Sequence, residues 1–100
     1  MSNEMNPQHR ANMIAQARAN GNARLTVRAN ALEAGWNMGF ICPDYEILRS
    51  PNGNSEIQLA AYGTGRIKSA VMVDMTTKHL QIEEEVKGVK NAVEIITSWL

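Results

Sequence analysis

The sequence predicts an α+β fold: an N-terminal helical segment or segments, an antiparallel β-meander of three to four strands, and a C-terminal amphipathic helix packed on the sheet. Three observations carry this expectation. Residues 7–34 are rich in Ala and Arg and poor in strand formers. Between residues 36 and 83, short alternating apolar runs are punctuated by Pro, Asn and Gly. The last fifteen residues repeat apolar side chains at helical spacing.

Residues 1–6 read as a loose polar tail ahead of a single domain at 7–100. Asn6-Pro7 is a helix start, since Asn accepts bonds from free backbone N–H groups and Pro suits the first helical position. The helix it opens has only a thin apolar strip, Ala11, Ile14 and Ala15 with Met13 and Ala17 beside it, and therefore needs a partner. Asn20-Gly21-Asn22 ends it. Residues 23–34 fit two periods: Leu25, Ala29, Leu32 and Trp36 recur as in a helix, whereas Leu25, Val27, Ala29 and Ala31 alternate as in a strand. The dominance of Ala and Leu favours helix. A second copy of Asn-Gly-Asn at 52–54 hints at a repeat that would make 23–31 a strand, and is read as chance.

Trp36, Met38 and Phe40 alternate in a short strand that Pro43-Asp44 breaks. The clearest hairpin signal is Ser50-Pro51-Asn52-Gly53-Asn54, flanked by arms at 45–49 and 55–62. Tyr45 and Ile47 on one arm, with Ile57, Leu59 and Ala61 on the other, are expected to form its buried face. Gly63-Thr64-Gly65 turns the chain into a third arm at about 66–75, and Thr76 to His79 can turn into a fourth at 80–83. Val86, Val89, Val93, Ile96 and Leu100 then predict an amphipathic helix, with Glu83, Glu84 and Glu85 at its positive end and Gly88 as the dissenting residue.

One hundred residues suffice for one core and not two. No apolar run approaches the roughly 20 residues of a membrane span, and the polar N-terminus lacks the apolar region of a secretory signal. Cys42 is the only cysteine, which excludes an internal disulfide and suits a reducing, cytoplasmic setting.

Chemistry-bearing patterns are scarce. His9 and His79 lie in different segments without metal-ligand spacing, Cys42 between Ile41 and Pro43 reads as a small buried thiol, and no carboxylates pair by spacing. Gly63-Thr64-Gly65-Arg66-Ile67-Lys68 shares the composition of a phosphate loop but not its order, and reads as a turn. The sequence therefore predicts no catalytic, cofactor or metal site.

Charge distribution says more. Lys plus Arg equal Asp plus Glu at ten each, which disfavours a strong nucleic-acid binder. The balance is a cancellation: residues 1–34 carry net +2, with all four of their charged bases arginines, and residues 35–100 carry net −2. Arg24 and Arg28 share a helix face, and Arg is enriched at interfaces because it makes fixed bidentate contacts. The reading is a small non-catalytic interaction module, an inhibitor or adaptor of the phage or mobile-element kind, that masks a partner protein through Arg18, Arg24, Arg28 and Trp36. The alternative is nucleic-acid binding by the N-terminal arginine-bearing helices, as a helix-turn-helix.

Overall fold

The computed structural model describes residues 5–100. Of the tail expected at 1–6, residues 1–4 lie outside the described residues. Helix α1 spans Pro7–Asn20 and opens as anticipated: Asn6 Oδ1 accepts from the backbone N–H of Gln8 at 2.8 Å and of His9 at 3.4 Å. Gly21, at φ +66, closes it by donating its N–H to Ala17 O. An Asn6→Ala variant is expected to lose about 1 kcal/mol of stability, read as a lower urea midpoint, because two N-terminal donors lose their acceptor.

Helix α2 spans Ala23–Glu33, so the ambiguous segment is helical. Its cap is Asn22, whose Oδ1 accepts from Leu25 N at 2.9 Å. Val27 and Ala31, one turn apart, enter the main core. Only Ala17 of α1 is buried, and side-chain hydrogen bonds add to its packing on α2. Arg10 donates to Leu32 O at 2.9 Å, Trp36 O at 2.5 Å and Asn37 Oδ1 at 2.6 Å, satisfying carbonyls where α2 ends. Arg18 pairs with Glu33 at 3.0 Å and donates to Asn30 Oδ1 at 2.8 Å.

The sheet has five strands where three to four were expected: β1 (Asn37–Cys42), β2 (Tyr45–Arg49), β3 (Ser55–Ala61), β4 (Ile67–Asp74) and β5 (Gln81–Lys87). All neighbours are antiparallel in sequence order, a simple meander. The last strand takes up the fourth arm expected at 80–83 and, by running on to Lys87, shortens the expected C-terminal helix. Residues 81–87 form an edge strand in which Val86 lies opposite Ala70, and the helix is reduced to α3, Ala92–Thr97. Gly88 separates the two, adopting φ +63 and donating its N–H to Lys68 O at 3.3 Å. Glu83, Glu84 and Glu85 are thus exposed along a free edge, where charge discourages pairing with another chain's strand.

Register corrects the hairpin as well. Leu48 faces Ile57 and Glu46 faces Leu59 on the core side, whereas Tyr45 faces Ala60 and Ile47 faces Gln58 on the other. With a period of two, moving one residue exchanges the faces of a strand. Here a carboxylate occupies the inward position because α2 supplies arginines to neutralise it. A bulge between Met38 and Phe40 has a similar effect in β1: Met38 lies opposite Leu48, but Phe40 lies opposite Ile47 and is 54% exposed.

The core is formed between one sheet face, including Leu48, Ile57, Leu59, Ala70 and Val86, and Val27 and Ala31 of α2 with Ala92 and Ile96 of α3. The opposite face carries Phe40, Tyr45, Ile47 and Val71, all half-buried or exposed. Partial burial there, then the nearby Glu56 and Cys42, raise the Tyr45 phenol above its ordinary pKa.

Two turns have testable chemistry. In the turn after β4, Asp74 Oδ1 accepts from the Thr76 hydroxyl at 2.6 Å and backbone N–H at 2.8 Å. These bonds hold its carboxyl below the ordinary value. Their contribution is therefore present above the ordinary carboxyl pKa and is lost as pH falls through the depressed one. Thr76→Val is expected to raise the Asp74 titration midpoint, followed by carboxyl NMR, and an unmoved midpoint would show that the hydroxyl bond is irrelevant. In the turn between β3 and β4, Gly65 sits at φ +87, its carbonyl accepting from Arg24 N at 2.8 Å. A Cβ added there would lie 2.3 Å from Asn22 Cγ. Gly65→Ala is expected to destabilise the protein by about 2–3 kcal/mol, combining the positive-φ cost with damage to the α2 cap. Thermal unfolding by circular dichroism measures it.

Candidate functional site

Arg24 and Arg28, one turn apart on α2, point at the same residue, Glu46 of β2. Arg24 Nε donates to Glu46 Oε1 at 2.5 Å, while Arg28 donates through Nη2 to Oε1 at 2.9 Å and through Nε to Oε2 at 3.0 Å. Glu46 is fully buried and Arg24 is 7% exposed. The remaining Arg24 donors reach the carbonyls of Pro43 at 2.6 Å, Cys42 at 2.5 Å and Tyr45 at 3.2 Å, where the chain turns from β1 to β2. The cluster locks α2 to that turn. It also leaves two guanidinium groups against one carboxylate, an uncompensated positive charge inside the fold.

The four residues expected to form one recognition face are therefore dispersed. Arg24 is an internal strut, and Trp36, 4% exposed, belongs to the core. Arg18 is at the surface but already pairs with Glu33. Arg28 is mostly covered and, with Arg24, lines a hollow of about 450 Å³ shared with Leu25, Ile41, Cys42 and Tyr62. The helix-turn-helix alternative draws on the same arginines. Cys42 is half-buried rather than enclosed, its thiol donating to Asp44 Oδ1 at 3.4 Å.

The structure brings together a different set of cations. A groove of about 480 Å³ lies between the start of α2, the β3–β4 turn and the segment from β5 to α3. Ala23, Ile67, Ala92 and Val93 supply apolar lining, and Arg66, Lys68 and Lys90 surround it with positive charge. No carboxylate is among its lining residues. Tyr62, 45% exposed, stands between the two hollows and lines both. The Arg66 guanidinium lies 5.4 Å and the Lys68 ammonium 5.8 Å from the centre of its ring, within cation–π range.

These residues escaped sequence reasoning because Tyr62, Arg66 and Lys68 come from one turn and Lys90 from a segment more than twenty positions later. The only signal was the Gly-rich run 63–65 followed by Arg66 and Lys68, a turn that also presents two cations. Among the described residues no group of three or more His, Cys, Asp or Glu side chains is placed to hold a metal ion. No helix among them is long and apolar enough to cross a membrane. The chain matches no protein-family model, no curated protein and no solved structure, so the meaning of the groove rests on the chemistry of its own residues.

Proposed function

We propose that the protein is a small non-catalytic interaction module, an inhibitor or adaptor of the kind encoded by phages and mobile elements, that acts in the cytoplasm by masking a partner protein's surface. The observation that carries this reading is the convergence of Arg66, Lys68 and Lys90 on one groove beside an exposed tyrosine, in a chain whose total charge is zero. Tyr and Arg are the residue types enriched at binding hot spots, and local charge on a neutral protein steers a complementary partner without broad attraction to polyanions. The proposed interaction site thus moves from the N-terminal arginines to the groove beside the start of α2, built from the β3–β4 turn and the segment after β5. Masking requires no reaction, only steric occupation and charge complementarity.

Affinity capture from the native cell, with wild type and a Lys68→Glu/Lys90→Glu variant, tests the proposal. Both lysines are exposed, so the variant should retain the wild-type circular dichroism spectrum. At least one specific partner protein should disappear from the variant's capture. Retention of every captured protein by the folded variant would refute a role for the groove.

A further inference from the structure

We infer that the groove takes a short acidic segment bearing an apolar side chain, contributed by the partner protein. This deepens the interaction-module reading and rests on it. The groove combines an apolar lining from Ile67, Ala92 and Val93 with Arg66, Lys68 and Lys90, and Tyr62 forms a wall that is itself apolar in body and polar at its tip. A purely ionic ligand would leave the lining unused; a purely apolar one would strip water from three cations without returning a partner. An extended segment with one aliphatic or aromatic anchor between carboxylates satisfies both. The buried Arg24–Glu46–Arg28 cluster lies beneath the adjoining hollow, also lined by Tyr62, and its excess positive charge acts in the same direction.

Charge distribution favours a short acidic peptide over a nucleic acid. A polyanion continues past the groove, and on this neutral chain it would meet the exposed carboxylates of Glu83, Glu84 and Glu85 on the neighbouring β5. It would also find one aromatic in the groove, Tyr62, where single-stranded nucleic acids are held by successive stacking platforms. A few carboxylates around an apolar anchor need only the cations the groove holds.

The test is an NMR titration of the intact 15N-labelled protein with three probes. They are a capped peptide of glutamates flanking a central leucine, the same peptide with alanine replacing leucine, and an oligothymidylate. At low ionic strength the leucine peptide is expected to shift the amides of Tyr62, Lys68, Gly88 and Val89, and to bind at least about tenfold more tightly than the alanine peptide, the scale of a buried aliphatic side chain. Lys68→Glu/Lys90→Glu should weaken it by at least about tenfold, as expected when attraction at two sites becomes repulsion. No shift at these amides, equal binding of the leucine and alanine peptides, or tighter binding of oligothymidylate at the same amides each overturns the inference. Loss of a partner in capture without peptide binding would sink the acidic-segment assignment alone. Retention of all partners by the charge-reversed variant would sink the interaction role of the groove itself.

Discussion

Replacing Glu46 by alanine is expected to cost the fold about 3–5 kcal/mol, because it leaves two guanidinium groups facing each other without a counter-charge. Glu46 is fully buried, and Arg24 has no route to solvent without abandoning the Cys42, Pro43 and Tyr45 carbonyls. Arg24→Ala should be of similar size, since it frees those carbonyls and leaves Arg28 as the sole partner of the carboxylate. Substituting all three charged residues by Met or Leu should recover only part of the loss: the charge problem disappears, but the turn carbonyls remain without donors. Urea unfolding at constant m-value reads each term. A loss below about 1 kcal/mol for Glu46→Ala would place the cluster in water, where ion pairs contribute little. There is a practical corollary. A loss of partners on Arg24→Glu/Arg28→Glu substitution would report unfolding, with three carboxylates crowded into one buried site, rather than recognition by an arginine face.

Trp36→Ala is the second large effect, at about 3–5 kcal/mol for an emptied aromatic site. Trp36 is 4% exposed, shares the core with both α2 and the sheet, and has its carbonyl held by Arg10. The variant should show a lowered melting temperature and, where still folded, unchanged binding through the groove. A Trp36→Ala protein of wild-type stability that lost its partner would instead make Trp36 an interface anchor.

Local signals in the sequence were reliable where one short segment determines its own geometry. Asn6, Pro7 and Gly21 bound α1 as their capping chemistry implies, and Ser50 to Asn54 turns the β2–β3 hairpin. Residues 23–33 are helical as favoured, despite an alternation that also fitted a strand, because their side chains favour helix and Asn22 caps them. The C-terminal stripe misled because Val86 belongs to a strand and Ile96 to a helix. Their shared spacing is accidental across the left-handed Gly88, and β4 gains a partner when the segment before it is extended. The inward side of β2 was hidden for another reason. An alternation rule assigns Tyr45 and Ile47 to the core, and only the arrival of Arg24 and Arg28 makes Glu46 acceptable there.

The same non-local logic separates the expected site from the groove now proposed. Helical spacing correctly put Arg24 and Arg28 on one face, but their partner lies about twenty residues away on another element, so a satisfied internal pair looked like a free basic surface. Lys90 carries no spacing signal with Arg66 and Lys68, and it reaches them because the chain leaving β5 turns at Gly88, beside the start of β4. The neutrality of the whole chain therefore conceals two different positive features: one inside, holding α2 to the sheet, and one outside, available to a partner.

The most direct measurement is site-specific photo-crosslinking in the native cell from Val89, on the rim of the groove and 42% exposed, compared with Arg18, exposed where α1 meets α2. The account predicts a discrete crosslinked protein from position 89 that is absent from position 18 and abolished by Lys68→Glu/Lys90→Glu. A crosslink from position 18 with none from position 89 would contradict it.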